Sequence, residues 1–199
     1  MKLYNQIDIE LFKGKDLLSK EELNHGHVLR EYALEHGIKM GLAYKSFYHM
    51  MLVDLVKDKH NNIFAYERVT NTVNKGAVVV VKKQDKFILL KQYRHSMQEE
   101  QWCFPRGYGE VNIQASDNVR KEIKEEINAD IIGEPKALGQ VIADSGLCWT
   151  LVDVYLAAIA HYDLKDYYEG IHALKEVSEE ELNNMNINDG FYISSTDSS

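Results

Sequence analysis

The sequence predicts an α+β or sandwich-like domain, because strand and helix patterns mix in it without regular βαβ alternation. Three segments carry this reading. Gly76-Ala-Val-Val-Val-Val81 is a short, strongly β-prone run, followed by a polar turn over Lys82–Lys86 and renewed apolar character in Phe87-Ile-Leu-Leu90, which together predict a hairpin. A charged helix is predicted over Gln114–Asn128, and Leu151–Ala160 is a further apolar strand.

The remaining elements fall in order around these. Ser19-Lys-Glu-Glu22 has capping-box spacing, and an apolar pattern through Leu23, Val28, Leu29 and Tyr32 follows it, with Gly37 placed to stop the helix. The first forty or so residues therefore read as helical. From Ser46 the pattern changes, and Phe47–Val56 and Ile63–Val69 read as strands around the polar turn Lys57–Asn62. This divides the chain into an N-terminal helical segment with a β-hairpin, residues 1–72, and a main domain, residues 73–199. Near the C-terminus Ser178-Glu-Glu-Glu181 offers a second capping box, for a short helix through Leu182 and Met185.

With 199 residues the chain can bury a full core without disulfides or structural metals. Cys103 and Cys148 are far apart and show no CxxC spacing, so a reduced, cytoplasmic protein is expected, with a single disulfide left open. No apolar run follows a basic start in Met1–Lys13, and none approaches the ~20 residues that span a bilayer, so neither a signal peptide nor a membrane partner is expected. A formal net charge of −8 argues against extended binding of nucleic acid. A small anionic substrate would need a local basic pocket or a metal to offset that charge.

The segment from Gly107 to Ala129 holds the chemistry. On a helical wheel Val119, Ile123 and Ile127 form a buried stripe, Arg120, Lys121 and Lys124 gather on one flank, and Glu122, Glu125 and Glu126 gather on the other. Glu122 and Glu126 are a like-charge pair one turn apart, which destabilises a helix by ~0.2–0.5 kcal/mol. A divalent cation turns that repulsion into binding, since hard cations prefer carboxylate oxygens. The plainer alternative is a solvated acidic face, offset by pairs such as Asp117 with Lys121. None of the eight histidines shows metal-site spacing.

The loop before the helix changes that balance. The segment resembles the Nudix box: Gly107 matches its first glycine, and Lys121-Glu122-Ile123-Lys124-Glu125-Glu126 matches its Arg-Glu-aliphatic-any-Glu-Glu core. Ile113 replaces the first glutamate of the box, Lys121 its arginine and Asn128 its second glycine. Asn tolerates the left-handed conformation of a helix end, whereas Lys lacks the planar fork of Arg. Glu110 is the nearest substitute for the carboxylate absent at Ile113. The likeness runs further. Leu89-Leu-Lys-Gln-Tyr-Arg94 resembles a motif of ADP-ribose pyrophosphatase-like Nudix enzymes, and Trp102-Cys-Phe-Pro-Arg-Gly107 resembles the strand and turn that enter their box. Leu138–Gly146 is similar to the segment that bears their proline-rich substrate loop, although Ala143-Asp-Ser-Gly146 has no proline. Cys103 and Arg106 stand where that branch has glutamate and alanine. Glu169-Gly-Ile171 and Val177–Leu182 resemble its C-terminal strand and helix.

The resemblance implies a Nudix fold, an α/β/α sandwich around a mixed sheet. It also implies a homodimer built on N-terminal strands, and hydrolysis of a nucleoside diphosphate derivative, with ADP-ribose giving AMP and ribose 5-phosphate. Glu122 and Glu126 would bind Mg²⁺, or Mn²⁺ in its place, helped by a carbonyl near Arg106, and Glu125 would be a further ligand or orient water. Glu169 is the candidate base from a C-terminal loop. Arg94 and Arg106 would grip diphosphate oxygens and Trp102 would stack on the ligand, while Tyr93 and Phe104 read as core and His95 as an exposed histidine. The departures at Ile113 and Lys121 also allow a non-catalytic Nudix-like module that senses a nucleotide.

Overall fold

The computed structural model describes residues 2–3, 34–38, 41–57, 60, 62–72, 74–109, 113–163 and 170–187. The chain forms two compact units, one of Met1–Thr72 with Asp144–Trp149, the other of Val73–Ala143 with Thr150–Ser199. The capping box at Ser19 and the helix expected after it lie outside the described residues.

The first unit holds an antiparallel sheet of β1 (Lys2–Leu3), β2 (Gly41–Lys45), β3 (His49–Lys57) and β4 (Ile63–Asn71). β3 is central. It pairs with β4 from His49↔Asn71 to Lys57↔Ile63, and β2 and β1 take its other edge. Strand β2 lies between the first forty or so residues, which read as helical, and Ser46, where the strand pattern is expected to begin. Helical turn 34–36 ends at Gly37, whose φ of 64° favours glycine, and Gly41–Lys45 then adopts strand conformation by pairing with Met50–Val53. That pairing is a tertiary gain which local helix propensity does not register.

Leu52, Val53, Leu55 and Val56 are buried in β3, and so is the charged Asp54 among them. Arg68 of β4 compensates it, with Nε 2.5 Å from Asp54 Oδ2. The Arg68 guanidinium also lies 5.1 Å from the centre of the Trp149 ring. Trp149 belongs to a six-residue strap that follows Ala143 in sequence but joins this unit. Val69 N donates to Leu147 O at 2.8 Å, Trp149 N donates to Val69 O at 3.0 Å, and Tyr66 Oη donates to Gly146 O at 2.6 Å. Asp144 turns the strap, its Oδ1 accepting from Gly146 N at 2.8 Å.

The second unit is a seven-stranded mixed sheet in the order β11-β6-β5-β10-β9, with β7 beside β6 and β8 beside β5. The strands are β5 (Asn74–Lys83), β6 (Lys86–Arg94), β7 (Glu99–Cys103), β8 (Arg106–Gly109), β9 (Ile131–Val141), β10 (Val152–Ile159) and β11 (Ile171–Val177). Among the described residues of this sheet β5 and β10 run parallel and the other pairs antiparallel. The expected hairpin forms, turning through Gln84 at φ 58°. β5 and β6 pair over Val81–Lys83 with Lys86–Ile88, and then they part. Into the opening comes one continuous stretch, β7 on β6 and then, after Phe104-Pro105, β8 on β5. Pro105 O accepts from Val79 N at 2.9 Å, which holds the crossing in place.

Successive residues of β5 and β6 enter opposite cores, as the two-residue period of a strand requires. Ala77, Val79, Val81, Ile88 and Leu90 pack with Val119, Ile123 and Ile127 of helix α1 (Ala115–Ile127). Val78, Val80, Phe87 and Leu89 pack on the other face with Leu182 of helix α2 (Glu179–Asn184). The result is the α/β/α sandwich. α1 closes at Asn128, in the left-handed conformation with φ 48°, and Ser178 caps α2 in a complete capping box with Glu181. Leu138–Val141, which opens the segment likened to the one bearing a substrate loop, is the end of β9.

Candidate active site

α1 presents Asn118, Glu122 and Glu126 at four-residue spacing, so the three share one face, and that face is laid along β8. Glu126, 2% exposed, accepts a hydrogen bond at Oε2 from the main-chain N of Arg106 at 3.1 Å. Glu122 rests its carboxyl group on Gly107 so closely that a Cβ there would overlap the carboxyl carbon and both oxygens. Behind it, a Cβ on Gly76 would come within 2.6 Å of the Gly107 carbonyl oxygen. Gly76, Gly107 and Glu122 are thus stacked from β5 through β8 to the helix, and each glycine leaves room for its neighbour in the stack. One turn earlier Asn118 Nδ2 donates to Tyr108 O at 3.3 Å.

Glu125 points off this line, with Oε1 3.6 Å from Lys121 Nζ. The other flank of α1 is tied down by Arg120 to Glu134 at 2.9 Å and by Lys124 to Asp130 at 2.9 Å. Signs are therefore segregated by use. The basic residues anchor the helix, and two glutamates are turned against main chain. Among the described residues no three His, Cys, Asp or Glu side chains are gathered closely enough to hold a metal ion. Ile113 is 39% exposed, while Glu110 and Glu169 lie outside the described residues.

The substrate-binding candidates separate onto two faces. Arg94 lies on the α1 side, where its Nη2 is 3.1 Å from the sulfur of buried Cys103 and its Nε is buried with no hydrogen-bond partner among the described residues. Trp102 packs with the core on the α2 side. Arg106 pairs with Val78, whose side chain is in that same core, so its side chain leaves the sheet on the α2 face while its N–H serves Glu126. The structure therefore brings Glu122, Glu126 and the main chain at 106–107 together, leaves Arg94 on their side of the sheet, and puts Trp102 and the Arg106 side chain on the other. Sequence reasoning missed Asn118. Its only signal there is its place one turn before Glu122, and what separates it is its burial, at 3% exposure.

No family model matches this chain, and no curated protein matches it. A solved structure described as an ADP compounds hydrolase matches with a TM-score of 0.65 at 14% identity, over 79% of this chain and 88% of that one. The likeness shows the fold alone, an α+β mixed sheet. Among the described residues no helix is long and apolar enough to cross a membrane.

Proposed function

We propose that this chain is a Nudix-type hydrolase that splits the diphosphate bridge of a nucleoside diphosphate derivative in a Mg²⁺-dependent reaction, with ADP-ribose as the leading substrate. The observation that carries the reading is the seating of Glu122 and Glu126 against β8, one on a glycine that has no room for a side chain and one buried on a main-chain N–H. A surface helix has no use for such seats, because an acidic side chain without a task stays in water. The fold shared with an ADP compounds hydrolase supports the same chemistry.

Two carboxylates are a suitable donor set for Mg²⁺, which commonly takes one or two carboxylates and completes its shell with water and substrate phosphate oxygens. Glu122 and Glu126 would hold the ion, with Glu125 next to them and Mn²⁺ as the alternative metal. A bound cation would polarise the bridging phosphates and lower the pKa of the attacking water. Arg94 would bind a phosphate oxygen, since its guanidinium faces a thiol and retains an unused buried N–H. Trp102 and the Arg106 side chain sit on the opposite face, and the proposed site is built without them. The same reading includes a cytoplasmic homodimer, which light scattering at micromolar concentration tests.

The decisive experiment is incubation with Mg²⁺ and ADP-ribose, NADH, a nucleotide sugar, a dinucleoside polyphosphate or coenzyme A, following nucleoside monophosphate release. Metal-dependent release that Glu122→Gln loses establishes the reaction, and the fastest substrate identifies the class. The pairing of Lys121 with Glu125 and the exposed Ile113 favour one rival, a module that binds a nucleotide without turning it over. Saturable binding of one panel member with no release on prolonged incubation would establish that rival.

A further inference from the structure

Along α1 each residue of the site face meets one residue of β8: Asn118 meets Tyr108, Glu122 meets Gly107 and Glu126 meets Arg106. The last two contacts seat acidic groups. The first seats a neutral amide that is 3% exposed, whose Oδ1 is buried with no hydrogen-bond partner among the described residues. The identity of that atom is fixed by the other end of the amide. A carbonyl can only accept, so the Asn118 nitrogen is the atom facing Tyr108 O, and the oxygen takes the opposite edge. Leaving a buried amide oxygen unsatisfied is unfavourable, and a position serving packing alone would carry an apolar side chain of similar size.

Asn118 and Glu122 are one turn apart, ~6 Å along the helix axis, a spacing over which two side chains converge on one ion. Amide oxygens belong to the donor set of hard divalent cations, alongside carboxylates and water. This chain has Ile113, 39% exposed, where the resembling box has a carboxylate. Resting on the hydrolase reading above, we infer that Asn118 Oδ1 is a further ligand of the divalent cation, paired with Glu122. It gives the ion a neutral oxygen where a third carboxylate on the same helix face would add to the repulsion between Glu122 and Glu126.

The test is calorimetric titration of Mn²⁺ into the full-length chain and into Asn118→Leu, Asn118→Asp and Glu122→Gln, with no substrate present. Asn118→Leu is expected to bind Mn²⁺ roughly tenfold more weakly, Asn118→Asp more tightly than wild type, and Glu122→Gln not measurably. Wild-type affinity in Asn118→Leu beside lost binding in Glu122→Gln overturns the role of Asn118 and leaves the metal reading standing. Unchanged affinity in Glu122→Gln, or no binding by the wild-type chain, overturns the metal reading and this inference with it. Should Asn118→Leu not fold, Asn118→Asp decides alone: a carboxylate at a ligating position tightens Mn²⁺, and an affinity equal to that of wild type overturns the proposal.

Discussion

The main-chain N–H of Arg106 donates to Glu126 Oε2 across 3.1 Å, so a carboxylate only 2% exposed is fixed to the first residue of β8. An amide of the same shape can keep this hydrogen bond through its oxygen, but it removes the charge. Glu126→Gln is therefore expected to fold as the parent does and to lose at least the ~100-fold in kcat that removal of an outer partner of a metal site can cost. Monophosphate release and a thermal melt on the same preparation check both halves.

The two stacked glycines are expected to fail in different ways. At Gly107 an added methyl meets the end of the Glu122 side chain, which can swing aside. Gly107→Ala should keep most of its stability while losing activity and Mn²⁺ affinity, each by ~10-fold or more. At Gly76 the methyl meets the Gly107 carbonyl oxygen at 2.6 Å, and main chain has to move. Gly76→Ala should destabilise the chain by ~1–3 kcal/mol, as overpacking does. Denaturant unfolding and Mn²⁺ titration of both variants separate the effects, and equal stability losses would count against the stacking of the two glycines under Glu122.

Arg94 is expected to act on substrate affinity. Its planar fork is held at Cys103 on one side and has an unused buried Nε. Hydrogen bonds to charged groups contribute ~1.5–3 kcal/mol, which corresponds to a ~10–100-fold loss in kcat/KM for Arg94→Lys, carried mainly by KM. A loss confined to kcat would place Arg94 outside the binding step.

Much of this architecture is legible in the sequence where local and tertiary preferences agree. α1 can be read from the Val119-Ile123-Ile127 stripe and α2 from Ser178 and Glu181, and the β5–β6 hairpin from its valines and polar turn. β9 is not legible, because Ile131–Val141 is mostly exposed and contains Gly133, Pro135 and Gly139. Proline is tolerated there because β9 ends the strand order, where a missing N–H need not break a ladder. The strap at Asp144–Trp149 is hidden for another reason: its partner Val69 is more than seventy residues away, and no local pattern records the pairing. At the site, the box spacing points to Glu122 and Glu126, but strand register sends the Arg106 side chain to the far face, and a register is fixed only once the strands pair.

Acid should release one brace of the second unit. Lys83 Nζ donates to Glu176 Oε1 at 2.7 Å and Tyr162 Oη donates to the same oxygen at 3.1 Å, and the lysine contact holds the Glu176 carboxyl below its ordinary pKa. Burial pushes the Tyr162 hydroxyl up, and its hydrogen bond to Glu176 adds to the shift. A carboxylate with a lowered folded pKa adds stability above its unfolded value and forfeits it as pH falls through the folded one. The stability difference between wild type and Glu176→Gln should therefore be present at pH ~7 and shrink as pH falls through the lowered folded value. Lys83, raised by the same contact, adds its share below its ordinary pKa and gives it up as pH climbs through the raised value. Urea unfolding of the pair across pH checks the sign, and a difference that grows toward acid would contradict it.

Asp54 and Arg68 make the corresponding prediction for the first unit. Both are buried or nearly so, with side chains 1% and 11% exposed, and removing one partner of such a pair leaves a charge in low dielectric at a cost of ~3–5 kcal/mol. Asp54→Ala should therefore be severe, whereas replacing both residues together with apolar side chains of similar volume, Asp54→Leu with Arg68→Met, should recover most of the loss. The two tryptophans make the readout local. Trp149 belongs to the first unit and stacks under Arg68, while Trp102 belongs to the second. In a Trp102→Phe background the remaining fluorescence reports the first unit alone, and Asp54→Ala should lower the midpoint of that transition. An unchanged Trp149 midpoint would show that the Asp54–Arg68 pair does not hold this sheet together.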